Sequence, residues 1–101
     1  MRLIVFFDLP TDTVTDRREY ARFRKFLVKS GFFMMQESVY CKLGLNQTVI
    51  NGVLEAVRKN KPSGGVVQAL TITEKQYSRM EFIVGSCGGE ILNTDERFVE
   101  L

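Results

Sequence analysis

Apolar residues run without a break from Leu3 to Phe7 and close on Asp8. Strand alternation puts Leu3, Val5 and Phe7 on one face and Ile4, Phe6 and Asp8 on the other. Both faces are apolar, so the pattern predicts a strand over residues 2–8 that is covered on two sides. Helices of the same chain cover one side. In so short a chain the expected cover for the other is a second copy of itself. Beyond Pro10, Thr13 and Asp16 have the spacing of a capping box. Tyr20, Phe23, Phe26 and Leu27 then recur with a helical period. This predicts a helix that runs to about Lys29 and stops at Gly31.

The stretch FFMMQESVYCKL (32–43) favours extended structure. It fits either two short strands turning at Gln36-Glu37 or one kinked strand, because neither Gly nor Pro marks a turn. Asn46 suits an N-cap, and Val49, Ile50, Val53, Leu54 and Val57 form the apolar stripe of a second helix ending near Lys59. KPSGG (61–65) is a turn and VVQALTIT (66–73) a strand, while EKQYSRM suits one helical turn. EFIVG (81–85) is expected as a further strand and ERFVEL (96–101) as a last short one. Two helices on one face of a largely antiparallel sheet predict an α+β, ferredoxin-like βαββαβ sandwich, homodimeric, in a single domain over residues 1–101. Residues 81–101 would form a C-terminal strand extension at the dimer or partner interface.

Charge sharpens this picture. The chain has 101 residues with 14 Lys and Arg against 12 Asp and Glu, a net charge of only +2, so the placement of the cations matters more than their number. Six of the 14 lie in the first helix. Arg18, Arg22, Lys25 and Lys29 follow i, i+4, i+7, i+11 and gather in one narrow arc, with Arg17 and Arg24 on a second edge. Such a stripe serves equally as an ordinary solvated face or as a ridge for a polyanionic backbone, read without base-specific contacts.

Histidine is absent, which removes the commonest general base, metal ligand and nucleophile partner. Catalysis would then rest on carboxylates, with a hard cation held through oxygen. Cys41 and Cys87 form no CxxC pattern, so reduced packing thiols are expected rather than a disulfide or zinc site. No apolar run is long enough to span a membrane. With no secretory signal pattern, a cytoplasmic location is expected.

Asp8 has two readings. As a turn starter its carboxylate accepts backbone N–H bonds. On a face shared with a twofold mate, two such acids would repel unless a proton or a divalent cation lay between them, and Mg²⁺ is the cation that faces phosphates with few protein ligands. Asp12 and Asp16 are better placed as caps.

The segments MRLIVFFDLPTD, DRREYARFRKFL, Gln36-x-Ser38-Val39-Tyr40 and Thr73-Glu74-Lys75-Gln76 together resemble the small CRISPR-associated adaptation proteins of the "Cas-two" family. The resemblance covers essentially the whole chain, and the helix and the TEKQ segment look most like the branch that accompanies type II systems. It implies a homodimer seated between two dimers of a partner integrase, capturing duplex DNA fragments for insertion as spacers. It also implies a metal-dependent endonuclease, acting on RNA or DNA, with Asp8 as catalytic residue and Mg²⁺ ligand. Phosphate contact would fall on Arg17, Arg18, Arg22, Lys25 and Lys29, and Tyr40 is a candidate base or interface contact. The alternative from another class is a single-stranded RNA-binding module, which needs exposed aromatics on its central strands.

Overall fold

The computed structural model describes residues 1–86. Along them run β1 (Arg2–Asp8), α1 (Val14–Lys29), β2 (Phe33–Gln36), β3 (Val39–Leu43), α2 (Gln47–Lys59), β4 (Val66–Ile72) and the short α3 (Glu74–Ser78). The strands form one antiparallel sheet in the order β2-β3-β1-β4, the ferredoxin-like arrangement expected from the sequence.

β1 is central because its apolar run satisfies both neighbours. Leu3, Val5 and Phe7 are buried beneath α1 and α2, where Phe23, Leu27, Ile50 and Val57 meet them. The capping box forms at the start of α1: the Asp16 amide donates to the Thr13 hydroxyl at 3.0 Å, and the Thr13 amide donates to the Asp16 carboxylate at 3.2 Å. The end of α1 comes where Gly31 adopts φ +93°, a left-handed geometry that glycine accepts without a steric penalty.

Residues 32–43 resolve as a hairpin. Its turn falls at Glu37-Ser38, one residue later than Gln36-Glu37, because a register shift between Met34 and Gln36 takes up an extra residue. Ser38 supplies the positive φ, 65°, that a glycine would otherwise mark.

The expected strand over 81–85 does not form. Residues 80–86 carry neither helix nor strand, and Ile83 and Val84 are 83% and 90% exposed. Strand-prone residues make a strand only when their backbone groups find a ladder, and no described strand pairs with them. The strand expected at 96–101, with Cys87, lies outside the described residues.

The opposite sheet face is thinly covered. Arg2, Ile4, Phe6 and Asp8 of β1 lie across from Leu43, Cys41 and Val39 of β3 and from Ile72, Leu70, Gln68 and Val66 of β4. At one end of this face Arg2 anchors α3. Its guanidinium stacks 3.9 Å from the centre of the Tyr77 ring and donates to Glu74 at 2.9 Å. Elsewhere the face is unevenly covered: Ile4 and Cys41 at its centre are buried, whereas Leu70 is 52% exposed and Phe33, Leu43 and Val66 are exposed around them.

The Phe23 ring is fully buried and meets Phe7 edge-on at 5.3 Å. Phe23→Ala is expected to cost ~3–5 kcal/mol of unfolding free energy, a large part of the ~5–15 kcal/mol a small domain possesses. Urea denaturation measures it, and a loss below ~1 kcal/mol would contradict this core.

Candidate functional site

Asp8 is the last residue of β1, exposed at the sheet rim and directly across from Val66. It borders a shallow cavity of about 270 Å³ whose wall also includes Phe6, Glu37, Ser38, Val66 and Gln68. Glu37 is the polar neighbour that sequence reasoning missed. It sits inside the QESVY stretch, but only the hairpin turn brings it to the same cavity as Asp8. Asp16 is occupied by its capping box, whereas Asp12, also expected as a cap, is not the one: Thr13 is the N-cap, and Asp12 offers its backbone carbonyl to Arg17.

Among the described residues no three Cys, Asp or Glu side chains gather as a ready-made metal cage. The donors that are present suit a hard cation that keeps most of its water and needs only one or two protein carboxylates. This chain's described residues alone build no closed structural site.

The cations of α1 divide into two groups. Arg18, Lys25 and Lys29 are exposed, and Arg17 is held toward the loop after Asp8 by donating to the Thr11 and Asp12 carbonyls at 3.1 and 3.3 Å. Arg22, expected as part of the same ridge, is turned back onto the fold. It donates to both carboxylate oxygens of Glu19 at 3.2 Å and to the carbonyls of Asn60 and Lys61 at 3.3 and 3.1 Å. The arc of four basic residues is therefore an arc of three with a brace in its middle.

Tyr40 needs a correction. It is 1% exposed and stacks on Phe7 at 5.7 Å, because its place across from Val5 puts it on the helix-covered face. The chain's own core encloses it. Cys41 is buried on the other face, and desolvation pushes its thiol above the ordinary range, so it is a packing residue.

A family model described as "CRISPR associated protein Cas2" matches residues 1–80. The chain belongs to the Cas2 family. It is 55% identical over 101 residues to the "CRISPR-associated endoribonuclease Cas2" of Treponema denticola, covering all of both chains. It is 45% identical over 101 residues to the protein of the same description from Streptococcus mutans, covering all of this chain and 93% of that one. The crystal structure of Streptococcus pyogenes Cas2 at pH 6.5 superposes with a TM-score of 0.61 over 84% of this chain and all of that one. At 17% identity that likeness establishes the fold alone. The strand-end acid, the capped basic helix and the anchored TEKQ turn are thus features of a Cas2-family chain.

Hydrogen bonding from Arg2 holds the Glu74 carboxyl below the ordinary glutamate range. A depressed carboxylate pKa adds stability that is present above the unfolded value, ~4.3, and is lost as pH falls through the folded one. Glu74→Gln should therefore be less stable than the parent at neutral pH, and the gap should close as the pH drops below ~4. Urea midpoints across pH 3–7 measure this, and a gap that widened in acid would refute the ion pair's role.

Proposed function

We propose that this Cas2-family chain works in the cytoplasm as the dimeric adaptor of CRISPR adaptation, holding duplex DNA fragments between dimers of a partner integrase for spacer insertion. The observation that carries the reading is the contrast between two surfaces. Exposed Arg18, Lys25 and Lys29 offer phosphate contacts along α1, whereas among the described residues the chemistry at the rim amounts to one strand-end acid with a single acidic neighbour. A chain without histidine and with so few catalytic groups is better equipped to grip a polyanion than to cleave it.

The apolar content of the second sheet face supports dimerisation through it. Phe33, Leu43, Val66 and Leu70 are exposed around the buried Ile4 and Cys41, with Asp8 at the rim of the same face. A twofold axis across that face would bring the two Asp8 carboxylates toward one another, where Mg²⁺ would relieve their repulsion.

A second reading is Mg²⁺-dependent phosphodiester hydrolysis, favoured by Asp8 and Glu37 bordering one cavity. A bound cation would supply charge stabilisation and a more acidic water. Asp8 would orient it, and Arg17 at the adjacent loop would meet the scissile strand's phosphate. The RNA-binding alternative loses ground: on the central strands Phe7 and Tyr40 are buried and Phe6 is half-buried, so no aromatic pair is presented to a base.

Asp8→Asn separates the two activities. Fragment binding and spacer insertion with the integrase should persist while any cleavage disappears. Loss of insertion from an intact dimer would overturn the adaptor reading. Reversing Arg18, Lys25 and Lys29 to Glu should reduce the log–log salt slope of duplex binding by about 2–3, at ~0.9 per phosphate contact. An unchanged slope, measured by fluorescence anisotropy over a salt titration, would remove α1 as the DNA surface. Leu70→Asp should convert the dimer to a monomer in sedimentation, and a dimer that survives it would place the self-contact elsewhere.

A further inference from the structure

We infer that α1 sets the position of Asp8 from both flanks, through two turns that it pins, and that Glu19, Arg22 and Gly65 are positioning residues for this acid. The inference rests on the reading of Asp8 as the working carboxylate and deepens it.

Asp8 ends its strand, so its backbone is only as well placed as the segments on either side. On one flank the Phe7 amide donates to the Ser38 carbonyl at 3.0 Å, and the Ser38 hydroxyl lies 3.3 Å from the Tyr20 hydroxyl of α1. On the other flank stands Gly65, immediately before β4. A Cβ built there would lie 2.6 Å from the Asp8 carbonyl oxygen and 3.0 Å from the Leu9 Cα. Both of those atoms are backbone and cannot swing aside, the Leu9 side-chain Cδ2 stands at 2.7 Å as well, and φ at Gly65 is +81°. The turn before β4 therefore bears directly on the peptide of Asp8, and displacement of one must displace the other.

That turn is favoured by its own sequence, KPSGG, but local sequence does not anchor it against the rest of the fold. It is held by α1. Glu19 accepts from the Ser63 amide at 3.2 Å, and Arg22, locked to Glu19, donates to the carbonyls of Asn60 and Lys61. Arg22 thus satisfies carbonyls at the C-terminal end of α2 while fixing the first residues of the turn. Hydrogen bonds from Arg22 and from the Ser63 amide hold the Glu19 carboxyl below its ordinary range, so the brace stays charged at neutral pH. One helical turn, Glu19 to Arg22, consequently clamps both approaches to the acid.

The test uses the full chain labelled for NMR. Arg22→Gln, Glu19→Gln and Gly65→Ala are compared with Glu74→Gln, which breaks another exposed pair, to Arg2 at the opposite end of β1 from Asp8. The first three should shift the Asp8 and Leu9 resonances and lower their order parameters, while Glu74→Gln leaves both unchanged. Arg22→Gln carries the test even if Gly65→Ala does not fold. Asp8 and Leu9 resonances in folded Arg22→Gln that match the parent, or that move equally in Glu74→Gln, would overturn the inference. Mn²⁺ titration separately examines the acid's role: paramagnetic broadening at Asp8 should vanish in Asp8→Asn and require ~10-fold more Mn²⁺ in Arg22→Gln. Broadening that persists in Asp8→Asn refutes the metal reading but leaves the resonance comparison decisive for positioning.

Discussion

The strict two-residue alternation of β1 between its neighbours governs most of what this chain presents to solvent. Leu3, Val5 and Phe7 go beneath the helices because that is where the apolar area is buried, and Ile4, Phe6 and Asp8 must then face the other way. Slipping the strand by one residue would turn Asp8 toward the helix layer, where an unpaired charge costs several kcal/mol. The register of the core and the exposure of the acid are therefore one constraint. The same alternation leaves the second sheet face apolar, which is why a Cas2-family chain of this size presents a surface better suited to another protein than to water.

α1 is the element on which the other requirements converge. Its apolar side closes the core through Phe23 and Leu27. Its exposed side carries Arg18, Lys25 and Lys29. Between them Glu19, Tyr20 and Arg22 reach out to two turns. A helix can sustain three such roles because residues one apart point roughly 100° apart, so neighbours in sequence serve different surfaces. α3 plays a smaller, similar part: the Arg2 guanidinium lies between Tyr77, Glu74 and the Cys41 sulfur and ties the TEKQ turn to the sheet.

The elements whose signals are local are legible from residue spacing alone. The capping box of Thr13 and Asp16, the Asn46 cap and the glycine stop at Gly31 all lie within a few residues of the boundaries they mark. The hairpin of β2 and β3 is half legible, because Ser38 adopts the left-handed conformation that composition alone would assign to glycine. The strand expected at 81–85 fails for the opposite reason: its residues favour extension, but their ladder partner is not a local matter.

The candidate site divides along the same line. Asp8 stands out in the sequence as a charge closing an apolar run, and the phase of the basic arc follows from helical geometry. Glu37 at the same cavity, Arg22 as a brace and Tyr40 in the core do not stand out. Each depends on which residue the fold sets opposite it: the turn across from Asp8, the carbonyls after α2, and Val5 across the sheet. The sequence by itself determined periodicities, caps and the acid that closes an apolar run, since those depend on covalent spacing. Tertiary structure alone decided which charges remain free and which are drawn into braces, since hydrogen-bond partners dozens of residues away become neighbours only when the sheet and helices pack.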